Sequence, residues 1–165
     1  SVKSELDKGT EFTINLSFSP ADSESSVSKP DKINREFLKG AHILLVEDNE
    51  INVYVAQIIL ERVECDITVA INGQEALDVF NDSKPGYFDA ILMDVRMPVM
   101  DGITATEHIR ALKRPDAATV PIIAMTADAF EEEQKRTLAA GMNYHLSKPI
   151  DPSLLYHVLS TYLIN

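Results

Sequence analysis

The chain has 165 residues, 45% hydrophobic and 25% charged, enough for one packed core, and it holds no apolar run long enough to span a bilayer. Its charge is unevenly divided: residues 1–39 carry 6 basic and 7 acidic side chains, residues 40–165 carry 9 and 19, a net of −10. Such a surface repels phosphate backbones and anionic lipid and attracts cations or basic partners, which argues against nucleic-acid and membrane contact by this segment.

In chain order, "EFTINLSF" alternates Phe12, Ile14, Leu16 and Phe18 with polar residues, the period of a half-buried strand. The following "SPADSESSVSKPDKINREFLKG" is rich in Ser, Pro and charge and has almost nothing to bury, so residues 19–39 read as a linker and the boundary falls near Gly40. From there strands and helices alternate. "HILLV" is an apolar strand, and "NEINVYVAQIILERV" puts Ile51, Val55, Ile58 and Ile59 at helical spacing. "DITVA" is the next strand, residues 73–80 a helix, and "AILMD" a strand buried on both faces. "ITATEHIRALKR" predicts a helix with Ile103, Ile109 and Leu112 inward, and "PIIAMTA" a further buried strand. "FEEEQKRTLAAG" reads as a helix closed by Gly141, and "YHLSKP" as a short strand cut off by Pro149. The last helix opens at Asp151 as N-cap with Pro152 at its first position. Strict alternation of five strands with five helices over residues 40–165 implies an α/β fold: a doubly wound, five-stranded parallel sheet with helices on both faces.

In such a sheet the residues just past the C-terminal strand ends share one crevice. Those ends carry Glu47, Asp48, Asp94, Thr126 and Lys148. Three carboxylates at one address raise each other's pKa unless a cation arrives, and a hard divalent ion such as Mg²⁺ takes one or two carboxylates and a carbonyl while leaving positions for a phosphoryl oxygen. The alternative for the acidic pair is solvation, with Asp48 capping the following helix. Lys148 alone could be a surface ammonium, but its place before Pro149 at a strand end aims it inward.

Together, "LLVEDNEIN", "ILMDVRMPVMDG", "IIAMTA" and "YHLSKPID" resemble the successive motifs of response-regulator receiver domains, from about residue 41 to the end of the chain. The resemblance implies the flavodoxin-like strand order 2-1-3-4-5. It implies Asp94 as phosphoacceptor, with Glu47, Asp48 and the Arg96 backbone carbonyl organising Mg²⁺ around it, and Thr126 and Lys148 taking the phosphoryl oxygens. A phosphohistidine donor is implied as partner, either a kinase core in the same protein or a histidine phosphotransfer protein. In many receivers the residue three before the strand-end lysine is Tyr or Phe and acts as a switch beside the threonine. Here it is His145, next to Tyr144, which either rotates as a polar substitute or sits at the surface. "DKGTEFTINLSF" resembles the closing strand of the ATP-binding domain of sensor histidine kinases. Residues 1–18 are therefore expected to be the end of a kinase domain, 19–39 its linker and 40–165 the receiver of a hybrid histidine kinase.

Competing chemistry is disfavoured by particular residues. A Mg²⁺-dependent aspartyl phosphatase needs a second Asp two residues after the nucleophile, where this chain has Arg96. A flavin-binding relative needs a phosphate-cradling loop after the first strand, where "EDNEIN" is acidic. A receiver-shaped docking module without phosphate turnover is opposed by all five expected site residues being present. No glycine-rich nucleotide lid occurs, and His108 reads as a solvated helix face, so kinase activity of the chain itself is not expected. The lone Cys65 and the absence of a signal peptide predict a reducing, cytoplasmic setting, even for a parent kinase anchored in a membrane elsewhere.

Overall fold

The structure, a computed structural model, describes residues 2–5, 9–12, 35–127 and 131–163. The chain divides into two units, residues 1–31 and 32–165. In the first, β1 (Val2–Glu5) pairs antiparallel with β2 (Gly9–Phe12), Val2 opposite Phe12 and Glu5 opposite Gly9. The predicted strand is thus present at Phe12, and its remaining positions, Ile14, Leu16 and Phe18, lie outside the described residues.

The second unit alternates β3 (His42–Val46), α1 (Glu50–Glu61), β4 (Asp66–Ala70), α2 (Gly73–Asp82), β5 (Ala90–Asp94), α3 (Gly102–Ala111), β6 (Ile122–Thr126), α4 (Glu131–Ala139), β7 (Tyr144–Ser147) and α5 (Pro152–Leu163). The five strands are all parallel in the order β4-β3-β5-β6-β7, which is 2-1-3-4-5 counted within this unit. Each strand sends alternate side chains to opposite faces. Ile43, Leu45, Leu92, Ile123, Met125 and Leu146 therefore meet α1 and α5 on one face, while Leu44, Val46, Ile91, Met93, Ile122 and Ala124 meet α2 and α3 on the other. The central β5 and β6 are buried at every position, as a sheet covered on both faces requires.

Two expectations change. Residues 35–38, assigned to the linker, form a 3-10 turn that packs on α5, and Leu38 is fully buried in the core. In α1 the inward face is Ala56, Ile59 and Leu60, and Ile58 is half-buried, whereas Ile51 and Val55 are 73% and 44% exposed. The helix is apolar nearly all round, so spacing alone admits two inward faces. Ala56 is small enough to let the helix axis approach the sheet, and that fixes the rotation. In α3 the reading holds: Ile109 is fully buried, and Ile103 and Leu112 are half-buried against the same core.

Candidate functional site

The site lies where β3, β5, β6 and β7 end together. Parallel pairing aligns Val46 with Met93, Asp94 with Met125 and Thr126 with Ser147, so the next residues of neighbouring strands emerge side by side. Asp94 ends β5 and is 5% exposed. Its Oδ2 is 2.8 Å from Lys148 Nζ, and its Oδ1 accepts the Arg96 backbone N–H at 3.2 Å. Gly102 opens α3 directly behind it, where a Cβ would lie 2.9 Å from Met93 Cγ and collide with the Asp94 carbonyl. Only glycine lets the α3 N-terminus come this close, and "MPVMDG" is the bend that delivers it. Val99 takes a positive φ of 70° in that bend.

Lys148 is placed by its own strand: its backbone N–H donates to the Thr126 carbonyl at 2.8 Å, and the Lys148–Pro149 bond is cis. Its ammonium bridges two carboxylates, Asp94 at 2.8 Å and Glu47 at 2.5 Å. Glu47 is 2% exposed, and its other oxygen accepts Asn52 Nδ2 at 2.9 Å and the Asn49 N–H at 3.4 Å. Burial raises the Asp94 carboxyl above the ordinary aspartate range and the Glu47 charge adds to this, outweighing the hydrogen bond and charge of Lys148. For Lys148 burial works the other way, but hydrogen bonds and charge from Asp94 and Glu47 overcome it and raise its pKa.

Asp48 is exposed, and it does not cap α1. Asn49 is the N-cap, its Oδ1 accepting from the Ile51 and Asn52 amides at 3.0 and 3.2 Å. Asp48 is thereby left to the crevice: Glu47, Asp48 and Asp94 each present a carboxylate oxygen within 4.8 Å of the others. Three clustered hard oxygen donors fit a hard divalent cation such as Mg²⁺ and do not fit a soft-metal site.

Thr126, 3% exposed at the end of β6, donates its hydroxyl hydrogen to Glu133 Oε2 on α4. Glu133 in turn accepts Arg96 Nε and Nη2 at 3.3 and 3.2 Å. His145 is half-buried in β7 opposite Ala124, its ring stacked on Tyr144 with centroids 5.6 Å apart. The structure thus brings Glu47, Asp48, Asp94 and Lys148 into contact range, while the Thr126 hydroxyl at the neighbouring strand end is bound to Glu133 of α4. Glu133, Asn52 and Asn49 also belong to the site, and the sequence reading does not single them out. Only Asn49 carries a signal, as an N-cap residue ahead of an apolar helix.

The response regulator receiver domain profile matches residues 43–160. The chain belongs to the response regulator receiver domain family. This receiver is 38% identical over 121 residues to hybrid signal transduction histidine kinase I of Dictyostelium discoideum, covering 72% of this chain and 7% of that protein. It is 35% identical over 149 residues to the aerobic respiration control sensor protein ArcB of Escherichia coli K12, covering 90% of this chain and 18% of ArcB. The chain therefore spans less than a fifth of the length of either relative. Among solved structures, the receiver domain of sensor histidine kinase PA1611 from Pseudomonas aeruginosa, crystallised with a magnesium ion in its active-site cleft, superposes with a TM-score of 0.69 at 38% identity over 76% of this chain and 99% of that one. The co-crystal of the Saccharomyces cerevisiae histidine phosphotransfer protein Ypd1 with the receiver of Ssk1 gives 0.69 at 30% identity, over 76% and 90%. Among the described residues no helix is long and apolar enough to cross a membrane.

Proposed function

We propose that this receiver takes a phosphoryl group from a phosphohistidine onto Asp94, as one step of a relay in a hybrid histidine kinase. The observation that carries the proposal is the strand-end Asp94 held at 2.8 Å by Lys148, with Glu47 and Asp48 beside it. In the transfer a bond forms between an Asp94 carboxylate oxygen and phosphorus, and the P–N bond to the donor imidazole breaks with its electron pair leaving on nitrogen. Such transfers depend on positioning and on neutralising charge rather than on covalent help from the protein. β5 and the tight Gly102 turn fix the carboxylate, and the Lys148 ammonium faces the incoming oxygens. Glu47, Asp48, Asp94 and the Arg96 carbonyl would hold Mg²⁺. Bound there, the metal would supply positive charge to the phosphoryl oxygens. Thr126 is the remaining donor for those oxygens, and His145 on the adjacent strand is the switch residue that follows it.

Residues 1–18 are read as the end of a kinase ATP-binding domain, 19–39 as linker and 40–165 as the receiver proper, its core extended to Leu38. Support comes from the ArcB similarity, which covers 90% of this chain and so reaches well upstream of residue 43. The donor is a kinase core in the same protein or a separate histidine phosphotransfer protein, and the setting is the cytoplasm, in keeping with a free, buried Cys65. The test is transfer of label from a panel of phosphorylated histidine phosphotransfer proteins to the chain with Mg²⁺. The expected result is rapid transfer from at least one donor, lost in Asp94→Asn. Transfer of equal rate to the Asp94→Asn chain would refute the proposal.

A further inference from the structure

Glu133 has no place in the chemistry described so far, yet it holds one of the groups that chemistry needs. The Thr126 hydroxyl has one hydrogen and can aim it at one acceptor at a time. That hydrogen goes to Glu133 Oε2. A phosphoryl oxygen on Asp94 needs the same hydrogen, so the two hydrogen bonds are mutually exclusive. Glu133 is itself anchored, its side chain 13% exposed and its second oxygen accepting from the Arg96 guanidinium. If Thr126 leaves, Glu133 keeps that charge-assisted partner, so the exchange strands no buried carboxylate.

We infer that Glu133 is a positioning residue that holds Thr126 in its unphosphorylated arrangement, so that phosphorylation of Asp94 must break the Thr126–Glu133 bond and thereby uncouples α4 from the end of β6. The inference rests on Asp94 being the phosphoacceptor. The element involved suits the role: among its described residues α4 buries only Thr137, and it opens with Glu131, Glu132 and Glu133. A helix with so few buried contacts is at the low-stability end of the fold, where a single hydrogen bond changes its docking.

Positioning and plain electrostatics make different predictions. Removing a carboxylate near the site favours any incoming anion, whatever Thr126 does. An effect routed through Thr126 vanishes when the hydroxyl is absent. The experiment titrates the full chain with beryllium fluoride and Mg²⁺, a phosphoryl mimic for aspartate, by NMR, using Glu133→Ala and Glu133→Gln, each with Thr126 or Ala at position 126. The Thr126 χ1 couplings are recorded alongside in the unbound chains. The expected result is binding about fivefold tighter in Glu133→Ala, a smaller gain in Glu133→Gln, whose amide oxygen still accepts, and in the Thr126→Ala background only a small residual gain, the same for both variants, from the lost charge. Thr126 should also populate a second χ1 rotamer in unbound Glu133→Ala. An equal gain in both backgrounds, or equal gains for Ala and Gln with Thr126 in place, would reduce Glu133 to a nearby charge and overturn the inference. So would unchanged binding in Glu133→Ala. Asp94→Asn is run in parallel. Mimic binding retained there would overturn the acceptor assignment and this inference with it, whereas binding lost there but unmoved by Glu133→Ala would overturn this inference alone.

Discussion

At the scale of residues, the crevice is a set of carboxylates held together against their own repulsion by one ammonium. Lys148 shares itself between Asp94 and Glu47, and Asp48 adds a third negative group within ligand distance of both. A divalent cation that binds only the folded chain adds stability by mass action. At a hundredfold excess over its dissociation constant this is about 2.7 kcal/mol, on the order of 5–10 °C in melting temperature. Melting with and without Mg²⁺ should show an increment of that size, largely lost in Asp48→Ala. In Lys148→Ala it should exceed the wild-type increment, because the metal then relieves repulsion that the ammonium no longer offsets. An unchanged increment in Asp48→Ala would place the cation elsewhere. The raised pKa of Asp94 sets a second expectation. A carboxyl whose folded pKa lies above its unfolded value binds protons more readily when folded, so its contribution to stability is lost as pH rises through the folded pKa. Asp94→Asn removes that loss. Metal-free melts should show the variant gaining on the wild type as pH rises from about 4.

The elements explain both what is legible in the sequence and what is not. β3, β5 and β6 announce themselves as apolar runs ending at a polar residue, which is why hydropathy patterning alone places Glu47, Asp94 and Thr126 at strand ends. β1, "VKSE", has no apolar alternation and is defined only by its pairing with β2. The rotation of α1 is illegible because Ile51, Tyr54 and Val55 are as apolar as the face that packs inward. Glu133 is illegible for another reason: its partners, Thr126 and Arg96, lie 7 and 37 residues away, and nothing in "EEE" distinguishes the third glutamate. The same applies to Arg114, which follows α3 and in the sequence resembles any residue of a solvated basic end. Its side chain is 8% exposed, donates to the carbonyls of Phe80, Ser83 and Lys84 at the end of α2, and lies over the Phe80 ring. Asp116 completes the clamp, accepting from Arg114 at 2.6 and 2.8 Å and from the Gly86 N–H at 2.7 Å. Hydrogen bonding to Arg114 pulls its pKa down to about 2 against a smaller opposing effect of burial. A depressed pKa of this kind stabilises the fold above the unfolded value and ceases to do so as pH falls from about 4 to about 2. Asp116→Asn should therefore cost about 2 kcal/mol at pH 7 and little at pH 2, measured by urea unfolding across that range. A penalty independent of pH would show that the clamp acts by packing alone.

At the scale of the whole receiver, the sheet order places β4 and β7 at opposite edges with the site between them. β6 carries Thr126, β7 carries His145 with Lys148 directly after it, and α4 is tied to Thr126. β4 carries no site residue and is fixed to β3 along its full length. A signal that starts at Asp94 should therefore run toward one edge. Chemical-shift differences between free and beryllium fluoride-bound chains should concentrate at residues 126–127, 131–137 and 144–148 and be small at Asp66–Ala70. Thr126→Ala should reduce the far-edge response. Equal shifts at both edges would mean that the site does not communicate through Thr126 and β7. All of this depends on Asp94 being the residue that is modified. The most direct measurement is mass spectrometry of the intact chain, and of its peptides, after incubation with a small-molecule phosphodonor and Mg²⁺. The account predicts a single labile phosphoryl adduct on Asp94, absent from Asp94→Asn and weakened in Lys148→Ala; an adduct of undiminished stoichiometry on the Asp94→Asn chain would contradict it.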